Sequence, residues 1–216
     1  MAPGAIDLPD VPGTGSFDVR VAQPVGHESV NVVIPWDDET FSFTSKHQAR
    51  AAVGELVVGD RRWRWAKPDP THGACSDVGR GRWPHEIVWN WGGGAGRCDG
   101  HVIGLQIGAT WTKGTGFTEN GVIVDGRVSK IGNELEWDYR WDRPMQPWHI
   151  TDPGGQLDIL LTPRFDKYTN VGDGGEFGSE VHQVFGTWSG RLRTDDGLEL
   201  EFTHLQGFAE EASQRW

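Results

Sequence analysis

The 216-residue chain has no stretch in which apolar residues recur at helical spacing over several turns. Its 31 glycines and 12 prolines interrupt it too often for long helices. No apolar run reaches the length needed to cross a bilayer as a helix, so membrane insertion is not expected. Positive charge is scarce: 20 Lys and Arg face 31 Asp and Glu, a formal charge of −11. The densest basic stretch, DRRWRWAKP at 60–68, is short, so neither nucleic acid nor an anionic membrane is expected as a partner. The opening MAPGAIDLPD lacks a charged segment followed by an apolar one. No signal peptide is read there, and a cytoplasmic location is expected. Cysteine is limited to Cys75 and Cys98. A bridge between them would stabilise by roughly 3 kcal/mol on the chain-entropy model. Without an export signal, free thiols are the expectation.

Motifs for bound groups are missing too. The eight histidines form no H-x-H or H-E-x-x-H, and the cysteines form no C-x-x-C, so no metal site is indicated. There is no G-x-S-x-G and no Walker A. GRGRWPHE imitates a phosphate loop, but no helix follows it. GGGAG likewise leads toward a strand. No cofactor is implied.

What the chain does have is aromatic residues on alternating positions. Twelve tryptophans and nine phenylalanines carry much of the 36% apolar content. ELEWDYRW (134–141) alternates Leu135, Trp137, Tyr139 and Trp141 with charged residues, and LELEFTH (198–204) does the same with Leu198, Leu200 and Phe202. This is the pattern of half-buried antiparallel strands. Further strands are read at 16–22, 29–35, 41–45, 54–59, 61–65, 86–91, 101–108, 120–126, 148–152, 157–163 and 180–188. VGDRR, VDGR, IGNE, DPGG and TDDG supply turns between them. FAEEASQRW at the end is read as a short helix, and 166–179 as a long polar, glycine-rich loop. No internal repeat is present, which disfavours propellers and solenoids. The expected fold is all-β: an antiparallel calycin or lipocalin-like barrel, or a strongly bent sandwich, with few or no helices. Residues 1–15 are expected to be a flexible segment and 16–216 one barrel-like domain, or 16–70 the remnant of a first barrel packed on 71–216. A shortened barrel would expose an edge strand and invite homodimer formation.

CSDVGRGRWPHEIVWNWGGGAGRCDGHVIGLQIG (75–108) resembles the core signature of a bacterial family known as domain of unknown function 2804. That pattern runs roughly D-W-G-R-G-x-W-P-Y, then W-N-W, then D-G-x-x-I-G-L-N-x-G. GTGFTENGVIVDG (114–126), RPMQPWHI (143–150), LTPRFDK (161–167), SEVHQVFGTWSG (179–190) and GFAEEASQRW (207–216) agree with it. The resemblance covers about residues 30 to 216. Val78 replaces the usual Trp, and His85 and Glu86 replace Tyr and a basic residue. The resemblance also implies a further N-terminal region that is largely absent, so a shortened form or fragment is expected. More distantly, the chain is similar to two-barrel, lipocalin-like proteins that include carotenoid hydratases and some fungal natural-product cyclases. That similarity implies a calycin-type barrel with an aromatic-lined pocket for a largely apolar small molecule. It is a likeness of fold, which does not dictate function.

Each candidate residue carries two readings. Asp77 and Arg80, three apart in SDVGRG, are a general acid in an apolar wall and an orienting cation, or a buried ion pair pinning a turn. Trp83, Trp89 and Trp91 are a stacking wall or plain core, with Ile87, Trp89 and Trp91 on one strand face. Glu119 and Asn120 are an acid/base and amide donor pair, or a turn. His182 is a proton shuttle beside Asp77 or Glu119, or a satisfied core histidine, and Gln183 lies next to it. His47 anchors a ligand carboxylate, or sits in a solvated turn. Glu210, Glu211 and Arg215 look like surface or barrel-closing ion pairs. Three functions follow. The first is a cofactor-independent hydratase, isomerase or cyclase acting on an apolar or aromatic small molecule. The second is a carrier with the same barrel and no chemistry. The third is a carbohydrate-binding or carbohydrate-active protein.

Overall fold

The computed structural model describes residues 4–7, 14–172 and 176–216. Every regular element in them is a strand, and every pairing is antiparallel. The strands are β1 (Gly4–Asp7), β2 (Thr14–Val21), β3 (Val30–Pro35), β4 (Phe41–Val58), β5 (Arg61–Arg82), β6 (Glu86–Cys98) and β7 (His101–Ala109). There follow β8 (Asn120–Val124), β9 (Arg127–Ile131), β10 (Glu136–Asp138), β11 (Trp148–Thr151), β12 (Leu157–Gly172), β13 (Gly178–Arg193) and β14 (Glu199–Arg215).

Two sheets result. The smaller has the order β1-β2-β4-β3, with β5 along the other edge of β4. The larger runs β10-β11-β12-β13-β14-β6-β7-β8-β9 and curls into a half-barrel. The curl encloses the core: Ile103, Leu105, Ile107, Ile150, Leu161, Trp148, Trp188 and Phe202 are all buried there. Alternation explains which face they take. On β6, Gly92 and Gly94 turn toward Ile107, Trp188 and Leu205 of that core, while Trp89 and Trp91 turn the other way.

The short strands read from the sequence merge into longer ones. FSFTS and GELVVG are both within β4, and RRWRW and SDVGRGR are the two ends of β5. The merger is irregular. Register shifts interrupt the β4–β5 ladder after His47 and around Ala52, and Ala49 takes a left-handed backbone with φ 57°. GGGAG is the middle of β6, because a side chain on Gly92, Gly93 or Gly94 would collide with Ile107, Phe208 or Trp188. FAEEASQRW is not a helix. It completes β14, whose Phe208, Ala209 and Ala212 are buried between β13 and β6. The loop expected at 166–179 is mostly ladder: β12 and β13 pair out to Gly172 and Gly178. Its tip at 173–175 lies outside the described residues. ELEWDYRW pairs only over Glu136–Asp138, although Leu135 is buried and Tyr139 stacks on Trp148 at 4.1 Å. The expected flexible segment 1–15 lies largely outside the described residues; within it, Gly4–Asp7 pairs with β2. Cys75 and Cys98 are free thiols. No helix among the described residues is long and apolar enough to cross a membrane.

Candidate active site

Between the two sheets lies a cavity of about 540 Å³. β4 contributes Ser42, Thr44 and Lys46, and β5 contributes Asp77 and Gly79. β6 contributes Ile87, Trp89 and Trp91, and β14 contributes Glu210 and Gln214. Trp83, Trp111, Glu119 and Trp216 come from the strand ends. Each strand contributes every second residue, as pleating requires. The face is apolar in an unusual way: five indoles surround three carboxyl groups and one ammonium.

Lys46 is the centre. Its side chain is 7% exposed. Its Nζ lies 2.8 Å from Asp77 Oδ2 and 3.5 Å from Glu119 Oε2. It also stands 4.1 Å above the Trp91 ring, a cation–π contact. One face of Trp91 is therefore already occupied. Trp91 is fixed from behind by its indole N–H, which donates to Gln106 Oε1 at 3.0 Å.

Glu119 is 1% exposed. Its Oε1 accepts the Trp111 indole N–H at 2.6 Å, and Thr44 Oγ1 donates to Oε2 at 3.5 Å. Burial pushes its carboxyl above the usual carboxylate range, against the opposing pull of Lys46 and Trp111. Trp111 reaches it because the chain reverses after β7. Thr110 takes φ 73°, a strained conformation for a β-branched residue, and its hydroxyl donates to Asn90 Oδ1 at 2.6 Å. Gly108 makes the room: a Cβ there would overlap the Glu119 carboxyl.

Glu210 stands on the other side of Trp91. Across the sheet the registered row is Gln183, Glu210, Trp91, Gly108. Gln183 Nε2 donates to Glu210 Oε2 at 2.6 Å, and Trp89 Nε1 donates to Oε1 at 3.0 Å. Burial raises this carboxyl as well. The cavity thus holds one ammonium shared between Asp77 and Glu119, and burial raises the Glu119 and Glu210 carboxyls.

The structure brings Asp77, Trp83, Trp89, Trp91 and Glu119 into this cavity, with Gln183 one hydrogen bond behind it. Trp83 is at the mouth, where its N–H donates to Ser42 Oγ at 3.2 Å. Four other candidates are elsewhere. Arg80 is exposed on the face of β5 opposite Asp77, because residues three apart on a strand point apart. The partner of Asp77 is Lys46. His182 faces away from Gln183. It is bonded to Asp166 Oδ2 at 2.7 Å and stacked on Tyr168 at 4.5 Å. Asn120 is buried behind Glu119, where it accepts the Gly108 N–H at 2.6 Å. His47 points outward toward Arg50 at 2.6 Å, and burial together with that cation pushes its pKa down.

Sequence reasoning missed Lys46, Trp111 and Glu210. Glu210 was accessible: read as a strand, FAEEA puts it on one face with Phe208. Lys46 was signalled only by the small polar residues Ser42 and Thr44 that share its face. Trp111 depends on the backbone reversal at Thr110, for which no local residue pattern stands. Among the described residues, no cluster of His, Cys, Asp and Glu is placed to hold a metal.

These features define an all-β protein with a tryptophan-walled, carboxyl-bearing cavity between two antiparallel sheets. The chain belongs to the family described as Domain of unknown function (DUF2804), which matches residues 7–216. No curated protein matches the sequence. Among solved structures it is similar to kievitone hydratase from Nectria haematococca, at 12% identity and a TM-score of 0.46. That match covers 94% of this chain and 60% of the hydratase, so the chain spans less than two thirds of that protein's length. It is also similar to CghA in complex with Sch210972, at 12% identity and a TM-score of 0.37. CghA alone gives 11% and 0.39, and both CghA matches cover 94% of this chain and 67% of the other.

Proposed function

We propose that the protein is a cofactor-independent enzyme of the hydratase, isomerase or cyclase kind, acting on an apolar or aromatic small molecule by acid/base chemistry. The observation that carries this reading is Glu119: a carboxyl 1% exposed, raised in pKa by burial, opening on a cavity walled by indoles. A carboxylic acid that keeps its proton at neutral pH is what protonation of an alkene or of a leaving oxygen needs.

Glu119 donates the proton. Trp111 and Thr44 hold its oxygens in one orientation, so little reorganisation is needed at the moment of transfer. Positive charge developing on the substrate faces the rings of Trp83, Trp89 and Trp111. Asp77, bonded to Lys46 at 2.8 Å, is the base: it takes a proton from an adding water or from the neighbouring carbon. Lys46, 3.5 Å from Glu119, faces the carboxylate that Glu119 becomes, and the proton gained by Asp77 returns to Glu119 through solvent before the next turnover.

The test replaces Glu119 by Gln and, separately, Asp77 by Asn, and measures turnover and binding on a panel of apolar alkenes, epoxides and alcohols. Expected is a loss of turnover of about 10²–10⁴-fold with binding retained. Turnover unchanged in both variants would sink the reading. A second reading, carbohydrate cleavage, draws on Trp83 at 40% exposure and Trp216 at 37% at the mouth, beside several carboxyl groups. Turnover of aryl glycosides, with none on the apolar panel, would favour it.

A further inference from the structure

The strands that line the cavity continue past it on the same face. On β4 Gln48 follows Lys46, on β5 Cys75 precedes Asp77, and on β14 Gln206 and Phe208 precede Glu210. With Gly94, Gly207, Phe185 and Arg164 these residues line a second, shallower cavity of about 310 Å³. The two are joined by aromatic contacts. Trp91 meets Phe208 edge-on at 4.9 Å, Phe208 meets Phe185 at 6.1 Å, and Phe185 stacks on Phe165 at 6.4 Å. The ladder follows from register, since Phe165, Phe185 and Phe208 are cross-strand partners on β12, β13 and β14. Exposure rises along it, from 8% at Phe208 to 41% at Phe185 and 57% at Phe165.

At its far end β12 is bulged. Pro163 pairs with Gly186 and Phe165 with Phe185, which leaves Arg164 as the extra residue. A bulge re-aims the side chain it carries. Arg164 lines the groove, and among the described residues its guanidinium has no ion-pair or hydrogen-bond partner. Arg164 is exposed, and the bulge sets its cation at the open end of an aromatic groove.

We propose that the Phe208–Phe185–Phe165 track ending at Arg164 is the distal half of the substrate site, and that it takes the anionic end of an elongated, otherwise apolar molecule. The inference rests on the proposed function, because it makes the groove an extension of the Glu119 cavity. Glu119 sits at Gly108 on β7, four strand spacings from the β12 of Arg164, roughly 19 Å at ~4.8 Å each. The substrate class is therefore an extended aromatic or polyenyl acid whose carboxylate lies about that far from the reacting atoms. A planar guanidinium suits a carboxylate through paired hydrogen bonds.

The test measures binding alone, so a failure of the catalytic reading leaves it intact. Anilinonaphthalene sulfonate and its uncharged counterpart phenylnaphthylamine are titrated by fluorescence. Wild-type protein is expected to bind the sulfonate about tenfold tighter. Arg164→Gln is expected to erase that preference while the amine's Kd moves less than about twofold, and Arg164→Lys to keep part of it. Phe185→Ala weakens both probes. In a Cys98→Ser background, bound sulfonate slows alkylation of Cys75 by iodoacetamide. Equal wild-type affinity for the two probes, equal loss of both in Arg164→Gln, or unprotected Cys75 would each overturn the proposal.

Discussion

Gly108 and Glu119 share one volume: the space a side chain would fill at Gly108 is taken by the Glu119 carboxyl. The acid is seated in the sheet, with Asn120 tying the Gly108 backbone in place at 2.6 Å and Trp111 closing the other side at 2.6 Å.

Gly108→Ala is expected to destabilise the fold by about 1–3 kcal/mol, because the inserted methyl meets a carboxyl held on both oxygens. Combined with Glu119→Ala it should cost much less than the two losses added, since the second change vacates the space. Urea denaturation of the four species in a double-mutant cycle checks this. Additive losses would mean that Glu119 already moves freely.

The contribution of the two cavity glutamates to stability should fall as pH rises from the acid side. Burial raises the Glu119 and Glu210 carboxyls in the folded state, first by desolvation and against several hydrogen bonds. A raised acid contributes fully below its unfolded value, about 4.3, and loses that contribution as pH climbs through the folded value. Glu119→Gln cannot ionise, so its stability relative to wild type should rise across that window. Denaturation midpoints from pH 4 to pH 8 measure the difference.

Lys130 gives the opposite signature at alkaline pH. Its Nζ donates to the carbonyl oxygens of Thr118 and Asn120, on either side of Glu119, and to Thr118 Oγ1 at 3.1 Å. Burial pushes its pKa down to about 8, with Glu119 opposing. The unfolded chain binds that proton up to about pH 10.4, so stability should increase between about pH 8 and 10.4 as the folded state releases it. Lys130→Met should remove the rise. The Lys130 Cε chemical shift should titrate near pH 8.

Lys46→Met leaves Asp77 without its counter-ion and Glu119 beside an uncompensated carboxylate. Because Asp77 is 36% exposed, the loss is screened by solvent and should be about 1–2 kcal/mol, well below the cost of breaking a fully buried pair. Asp77→Asn in the same chain should restore part of the loss, and thermal unfolding of both variants distinguishes this from a simple loss of packing.

Much of this was legible before folding. Apolar alternation located the β-strands, and EIVWNW put Ile87, Trp89 and Trp91 on one face, where the cavity wall has them. The TEN stretch singled out Glu119. What misled was periodicity with the wrong residues. In FSFTSKHQ the apolar positions are Phe41 and Phe43, yet Ser42, Thr44, Lys46 and Gln48 are the buried ones. A binding face inverts the hydrophobic rule, since its polar groups are paired with partners far away in sequence. Lys46 meets Asp77 across β4–β5 and Glu119 across the two sheets, and neither spacing is visible locally. Asp77 and Arg80 looked paired because they are close along the chain, while pleating sends them to opposite faces. Glu210 was hidden by reading FAEEASQRW as a helix.

The central claim is that burial raises the Glu119 carboxyl above the usual carboxylate range inside the cavity. Infrared difference spectra of wild type against Glu119→Gln, recorded through the pH range, test it most directly. The expected result is a protonated carboxyl C=O band, present in wild type and absent in the variant, that persists above the usual carboxylate range. A difference spectrum showing only ionised carboxylate at pH 5 and above would contradict it.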